Sequence, residues 1–312
     1  MLASIPLQTG AIVMATGIVA IGMSRLRVAA ISAPLLLVAA AIWVVLLVAV
    51  LVRMRVDAAG LSSELSSPSA LSVVAATAVL GVAADDLGWL IPAAGLLALA
   101  AVLLILVAVP VLRGWRTPTR GVSFLLAVAV ASVSVAASAL AAAAPAHWLL
   151  IPAAVCWGLA LVAYLFVIFR FDLRELLRGR GDHWVAGGAL AISALAGEEL
   201  YLRLGAPGQP QEAVVFGLWA AASGWMGMLL LGELTSRRWG YHHLRWATVF
   251  PLGMYGVCSL LLSTILNAAP LLTVARVFVW VGFAAWLLVA AGLLARGVTL
   301  VRGSARQQPG SG

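Results

Sequence analysis

Apolar residues fill ten long stretches of the chain, and polar or basic loops separate them. The stretches cover residues 4–23, 28–52, 69–85, 88–112, 119–141, 147–169, 183–204, 212–234, 246–266 and 271–295. A helix rises about 1.5 Å per residue and needs roughly 17–25 apolar residues to cross a bilayer core. The pattern therefore predicts an all-α integral membrane protein with one transmembrane domain over residues 1–297, followed by a disordered cytoplasmic tail over 298–312.

The basic residues of the loops predict the orientation of these helices. All 19 are arginines, and fifteen of them lie in the loops or tail that follow even-numbered stretches. Because arginine-rich loops stay in the cytoplasm, this bias predicts a multi-pass protein of the cell membrane with both termini cytoplasmic. The links within pairs 1–2, 3–4, 5–6, 7–8 and 9–10 are short and poor in arginine. The ten helices are therefore expected to form five helical hairpins.

Hydroxyl and tryptophan side chains divide the stretches into two kinds. The odd-numbered stretches contain sixteen serines and threonines, whereas the even-numbered ones contain three. Eight tryptophans lie in even-numbered stretches and two in odd-numbered ones. Amphipathic indole rings are typical of helices that face lipid interfaces. This contrast predicts that the odd helices are inside the protein and the even helices outside.

Five polar-faced inner helices suggest a central pore with pseudo-fivefold symmetry, since transporters are commonly built from repeated helical units. The residues expected to line it are small or hydroxylated: Thr16, Gly17, Ser72, Ser134, Ser138, Gly253, Gly256 and Ser263. The alternative interpretation is that these hydroxyls hydrogen-bond to their own helices and that the small residues let helices pack closely.

The ninth stretch, WATVFPLGMYGVCSLLLSTIL at residues 246–266, contains an interior proline. Pro251 lacks a backbone donor, so the helix is expected to bend there and the carbonyl of Ala247 to need a partner in protein or in a water-filled cavity. Phe250 lies at this bend, next to small residues. Its ring is predicted to close the pore, and the alternative is that it only packs between helices.

Ionisable side chains inside a membrane segment are costly unless they are paired or hydrated. Glu198 and Glu199 lie near the outer end of the seventh stretch, and Arg276 lies at a similar depth in the tenth. They are predicted to form an outer charged site. Either the arginine pairs with a glutamate, or Arg276 attracts an anion and a glutamate carries a coupling proton.

The composition excludes several classes of protein. The chain is 64% hydrophobic and 10% charged, with a mean hydropathy of +1.11, which is far from the range of soluble domains. Cytoplasmic loops account for the net charge of +8, so no nucleic-acid partner is predicted. Metal-ligand spacing, hydrolase motifs and a Walker loop are missing from the sequence, so neither a cofactor nor enzymatic activity is expected.

Two stretches resemble a known family. Residues 9–21 read TGAIVMATGIVAI and residues 246–254 read WATVFPLGM. They are similar to the tellurite-resistance/dicarboxylate transporter family, which includes bacterial tellurite-resistance channel homologues, yeast malate and sulfite transporters, and plant slow-type anion channels. The resemblance implies five hairpins, a pore lined by odd helices and kinked by prolines, a phenylalanine plug that matches Phe250, and a homotrimer.

These observations predict a membrane channel for small anions whose pore is gated by a phenylalanine. The alternative is a carrier for dicarboxylate, sulfite or tellurite-type oxyanions, coupled to protons through Glu198 or Glu199. A third possibility, a structural or sensory membrane protein without flux, leaves the contrast between odd and even stretches unexplained. Small anions and membrane lipids are the expected partners.

Overall fold

The structure is a computed structural model that describes residues 4–143, 146–178, 181–204, 209–236 and 242–306. Within these ranges, ten helices are long and apolar enough to cross a membrane, and 3-10 turns and short helices connect them. The predicted all-α membrane fold is therefore confirmed. The ten helices are α1 Gly10–Arg25, α2 Ala29–Val56, α3 Leu71–Asp86, α4 Leu90–Arg113, α5 Leu125–Ala143, α6 Leu150–Ile168, α7 Val185–Leu204, α8 Gln209–Ser236, α9 Trp246–Ile265 and α10 Ala269–Arg306.

The last helix is longer than its sequence pattern suggests. It continues to Arg306 and so passes residue 298, where the disordered tail was predicted to begin. Residues 307–312 lie outside the described ranges. The predicted disordered tail stays a prediction.

The odd-numbered helices are the buried ones. In their most apolar stretches 67–100% of the residues are buried, against 11–28% in the even-numbered helices. Each inner helix packs against two other inner helices in the closed order α1, α3, α5, α7, α9 and back to α1. Each outer helix packs against its hairpin partner. The fold is therefore a ring of five helices inside a layer of five, and exact pseudo-fivefold symmetry stays a prediction.

Small residues allow the inner helices to approach one another closely. The described side chains of α5, with the sequence LLAVAVASVSVAASALAAA, are almost all buried. A Cβ added to Gly17 would collide with Val79 of α3, and one added to Gly253 would lie 3.1 Å from Ile18 of α1. Close packing of small residues is the main attraction between helices in lipid, because lipid tails are as apolar as leucine.

Indole groups connect the outer layer to the inner ring. At three places an outer-helix indole donates a hydrogen bond of 2.8–3.0 Å to an inner-helix hydroxyl, in the pairs Trp43–Thr77, Trp219–Ser259 and Trp286–Thr16. At a fourth place the Trp157 indole donates to the backbone carbonyl of Ser193 at 2.9 Å. An indole N–H in a bilayer needs such an acceptor. Three tryptophans of the even helices and three hydroxyls of the odd helices are thus hydrogen-bond partners of each other.

A 3-10 turn precedes every inner helix. The five turns are Leu7–Thr9, Pro68–Ala70, Gly121–Phe124, Asp182–Trp184 and His243–Arg245. Because the inner helices alternate with outer ones along the chain, all five run in the same direction. Their amino-terminal ends therefore gather at one face of the ring, which is the face predicted to be cytoplasmic.

Candidate functional site

A cavity of about 150 Å³ opens between the amino-terminal ends of the five inner helices, and we call it the N-side cavity. Every inner helix contributes to its wall, through residues that include Met14, Ser72, Leu125, Val185 and Ala247. The 3-10 turns add polar groups, among them Gln8 and Asp182. This cavity is thus the point at which the five helix starts converge.

A second, narrower space of about 20 Å³ lies further along the same five helices, and we call it the C-side cavity. Its wall again draws on every inner helix, with residues that include Ile18, Val79, Ser132, Ile192 and Met254. Arg25 also lines it. The two cavities therefore follow one axis through the centre of the ring.

Phe250 lies between the two cavities. On α9 it comes three residues after Ala247, which lines the N-side cavity, and four before Met254, which lines the C-side cavity. Its side chain is 0% exposed, and its ring lies 3.0 Å from the position that a Cβ on Gly188 would take. Gly188 has the same spacing on α7, between Val185 and Ile192. The aromatic ring therefore packs against a position without a side chain, at a level of α9 between residues that line the two cavities.

Pro251 lies inside α9 and contacts the same glycine. A Cβ on Gly188 would be 2.8 Å from the proline Cγ. Proline at this position removes the hydrogen bond to the carbonyl of Ala247, and Ala247 is one of the residues that line the N-side cavity. The prediction that this carbonyl needs a partner, in protein or in a water-filled cavity, is consistent with that position. The bend itself stays a prediction.

The residues predicted to line the pore have different surroundings. Ser72 lines the N-side cavity, and its hydroxyl donates to the carbonyls of Ser69 at 2.7 Å and Leu7 at 3.3 Å. The Thr16 hydroxyl accepts a hydrogen bond from the Trp286 indole. The Ser134 hydroxyl donates a hydrogen bond to the Ala153 carbonyl of α6 at 2.7 Å. The Thr16 and Ser134 hydroxyls are therefore engaged with the outer layer.

The remaining predicted positions also lie mostly at helix contacts. Gly17 abuts α3, Gly253 abuts α1, and a Cβ on Gly256 would lie 2.8 Å from Val279 of α10. The Ser263 hydroxyl donates to the carbonyl of Leu260 in its own helix at 2.6 Å. Ser138 is fully buried, and its hydroxyl has no hydrogen-bond partner among the described residues. For the three glycines and Ser263 the alternative based on packing and back-bonding fits the contacts, and their place in a pore lining stays a prediction.

Sequence reasoning did not select the residues that line the C-side cavity. Most of them are aliphatic, and Arg25, Ser132 and Met254 are the exceptions. Aliphatic residues on the buried helices are equally common at positions that pack against neighbours. No sequence signal distinguishes the two sets, because only the rotation of each helix decides which side chain faces the axis.

The outer charged site is assembled differently from the sequence-based expectation. Glu199 is 2% exposed, and its carboxylate lies 3.5 Å from Arg25 and 3.2 Å from Arg203. Arg25 also lies 3.6 Å from Asp86. Because α1 and α7 are not neighbours in the ring, the Arg25–Glu199 ion pair spans the carboxyl-terminal end of the axis.

Neither Glu198 nor Arg276 takes part in an ion pair within the described ranges. Glu198 is 0% exposed, and among the described residues neither of its carboxylate oxygens accepts a hydrogen bond. Arg276 forms no ion pair with either glutamate within the described ranges, so the predicted pairing is corrected: Arg25 and Arg203 are the partners of Glu199. The arginine at the end of α1 reaches the axis because α1 is an inner helix, whereas Arg276 is on the exposed side of the outer helix α10.

The described residues contain no group of three or more histidine, cysteine or acidic side chains arranged to hold a metal ion. Both cysteines, Cys156 and Cys258, are free. What the two cavities along the axis can do chemically is hold a solute among the five inner helices.

The chain was compared with curated proteins and with protein families. No curated protein sequence matches the chain. The chain does match the family described as voltage-dependent anion channel, over residues 4–294. Bacterial tellurite-resistance proteins and dicarboxylate transporters are included in this family. The resemblance drawn from residues 9–21 and 246–254 is thereby confirmed, and the chain belongs to the voltage-dependent anion channel family.

Proposed function

We propose that this multi-pass membrane protein conducts small anions passively through the ring of inner helices and that Phe250 is the gate. The observation that carries the proposal is the position of the Phe250 ring. It is fully buried against Gly188, between two cavities that are each lined by all five inner helices. Membership in an anion-transport family supports the choice of solute.

The direction of the inner helices supports selectivity for anions. A helix has about half a positive charge at its amino terminus, and anions bind at such ends. Five amino-terminal ends surround the N-side cavity. Their combined field raises the local concentration of anions at this mouth and lowers that of cations. If this face is cytoplasmic, a membrane potential that is negative inside drives anions outward.

The apolar, narrow part of the path explains why the pore would be closed to ions. An ion entering an apolar constriction loses water without gaining other ligands, which costs several kcal/mol or more. The C-side cavity is narrow and mostly aliphatic. On this proposal the Phe250 ring blocks the way into it. Movement of one aromatic ring would therefore change both the width and the hydration of the path.

Anion flux into liposomes tests this proposal. Replacing Phe250 with alanine should raise chloride or nitrate flux by an order of magnitude or more, because the side chain that excludes water is removed. Phe250→Leu should raise it less, since a smaller apolar group still obstructs the path. The measurement is the rate of anion-dependent quenching of a dye inside vesicles, at equal amounts of reconstituted protein.

Phe124→Ala is the matched control. Phe124 is another fully buried phenylalanine, and its ring packs on Tyr164 and Phe171 away from the axis. Both alanine variants should lose about 3–5 kcal/mol of stability as they leave a cavity, but only Phe250→Ala should raise flux. A folded Phe250→Ala protein with flux equal to or below that of the parent protein would contradict the gate.

A second candidate function is a proton-coupled carrier for dicarboxylate, sulfite or tellurite-type oxyanions. The observation that favours it is Glu198, a buried carboxyl without a hydrogen-bond partner among the described residues, near the end of the axis. Under this alternative a pH gradient is needed for uptake, and Glu198→Gln abolishes the coupling while the protein stays folded. Under the channel proposal, flux proceeds without a gradient and survives this substitution.

The protein is further proposed to be a homotrimer in the cell membrane with both termini in the cytoplasm. The family resemblance supports the trimer, and the bias of arginines toward one set of loops supports the orientation. Chemical cross-linking in native membranes should give a ladder that ends at three chains. A single cysteine placed near residue 3 should react with impermeant thiol reagents only after the cells are opened.

A further inference from the structure

Three arginines meet in one pocket at the carboxyl-terminal end of the inner ring. The pocket has a volume of about 410 Å³ and is lined by Arg25, Arg27 and Arg276, with apolar walls that include Leu260 and Trp280. We call it the arginine pocket. Its described lining contains no acidic side chain. Such a concentration of one sign of charge beside a membrane helix is costly unless an anion balances it.

Few described acidic side chains of the protein pair with the guanidinium groups of the arginine pocket. Within the described residues, neither Arg27 nor Arg276 forms an ion pair, and both residues are exposed. Arg25 lies 3.6 Å from Asp86 and 3.5 Å from Glu199, and both distances are longer than a normal hydrogen bond. The N–H donors of Arg27 and Arg276 are therefore free to bind an additional acceptor, and Arg25, although paired with two carboxylates, makes no hydrogen bond of normal length to either.

Arg25 connects this pocket to the axis of the ring. It lines the arginine pocket and the C-side cavity at the same time. The two glutamates, which could have repelled an anion from this mouth, are both buried, and Glu199 is neutralised by two arginines. The described lining of the arginine pocket is thus positive, while Asp85 and Asp86 lie outside that lining at the same end, with Asp86 paired to Arg25.

We infer that the arginine pocket is a binding site for an oxyanion, with Arg27 and Arg276 as its outer ligands and Arg25 as the ligand shared with the axis. A guanidinium group presents its N–H donors as a planar fork, which matches two oxygens of a sulfate, phosphate or carboxylate group. The volume of 410 Å³ accommodates such a group with part of its hydration. Trp280 and Leu260 supply an apolar side on which an attached chain could lie.

Two kinds of molecule could supply the oxyanion group that binds in this pocket. One is a soluble oxyanion that enters or leaves the axis, and the other is the phosphate of a membrane lipid whose acyl chains follow α10. The site requires the same guanidinium groups in both cases, and neither source depends on conduction through the ring. The test of the oxyanion site therefore measures binding. The proposed site can fail this test while the proposed channel function holds, and it can pass while that function fails.

The first arm uses delipidated protein in detergent with sodium sulfate as the probe, at constant ionic strength. The melting temperature should rise and saturate with sulfate, because a ligand that binds only the folded state stabilises it. The double variant Arg27→Gln/Arg276→Gln should bind sulfate at least about tenfold more weakly, since hydrogen bonds to charged groups are lost. Both residues are exposed, so this variant should fold, and its melting temperature without sulfate checks this.

The matched control is Arg55→Gln/Arg113→Gln. It removes the same charge from two exposed arginines at the opposite end of the helices, which lie outside the arginine pocket. Its affinity for sulfate should equal that of the parent protein. An equal loss of sulfate affinity in both double variants would mean that net charge alone causes the effect, and it would overturn the proposed site.

The second arm identifies the source by adding phosphatidylglycerol. If this lipid competes with sulfate and stays bound to the parent protein but not to the pocket variant in native mass spectrometry, the ligand is a lipid phosphate. If it does not compete, the site takes the soluble oxyanion. The inference is overturned if neither probe binds the parent protein, or if both bind the pocket variant as tightly as the parent.

Discussion

The two ends of the inner ring differ in the barrier that each is proposed to form. Next to the N-side cavity the proposed gate is one aromatic ring, Phe250, packed against Gly188. At the opposite end the Arg25–Glu199 ion pair spans the axis beside a much narrower space. The first barrier is steric and works by removing water, whereas the second is electrostatic. A barrier of the first kind is insensitive to salt, and one of the second kind weakens as salt rises.

This comparison predicts the largest effect for a double variant. Phe250→Ala/Arg25→Gln should give a higher anion flux than either single variant, because it removes both obstructions in series. The double variant and Phe250→Ala alone should both exceed the parent by an order of magnitude or more. Arg25→Gln alone should change flux little, since the aromatic ring still closes the path. The measurement is liposome flux at low and at high salt.

The salt series is the control for that prediction. The gain from adding Arg25→Gln to Phe250→Ala should shrink at high salt if the ion pair acts electrostatically. A double variant whose flux equals that of Phe250→Ala at every salt concentration would show that the ion pair is no barrier. A large gain from Arg25→Gln alone would instead locate the main barrier at that end.

A smaller effect is expected from the two adjacent glutamates, which have opposite surroundings. Glu199→Gln should lower stability by about 2–3 kcal/mol, somewhat below the ~3–5 kcal/mol of a fully buried pair, because Arg25 and Arg203 remain partly exposed. Glu198→Gln should be neutral or stabilising, since it replaces a buried carboxyl without a described partner by an uncharged group of the same shape. Thermal unfolding in detergent compares the two variants.

Each glutamate variant is the control for the other, because the substitution is chemically identical and one residue apart. Arg25→Gln should recover part of its lost stability when combined with Glu199→Gln but not when combined with Glu198→Gln. The reverse order of stabilities would mean that Glu198, rather than Glu199, carries the ion pair.

The smallest effect concerns the contact between the outer layer and the ring. Trp286→Phe keeps most of the ring volume but removes the N–H donor to Thr16, so it should cost about 1 kcal/mol of stability and leave flux unchanged. Thr16→Val should behave similarly, and the double variant should cost less than the sum of the two. A strong change of flux in Thr16→Val without loss of stability would support the prediction that Thr16 lines the pore.

Much of the fold follows from local properties of the sequence. Hydropathy marks ten helices because lipid forces each spanning segment to satisfy its own backbone hydrogen bonds, whatever its neighbours are. The contrast between odd and even stretches correctly separates inner from outer helices. Its physical cause is broader than a polar pathway, since hydroxyls such as those of Thr77 and Ser259 receive indole donors from the outer layer.

The sequence by itself also singled out Phe250 and Pro251, because an aromatic residue beside an interior proline is a local signal. Only the tertiary structure decided that Gly188 of a different helix lies against that ring and that Arg25, rather than Arg276, pairs with Glu199. These contacts join segments far apart in the chain. They depend on the rotation and spacing of packed helices, which a one-dimensional pattern of apolar residues does not encode.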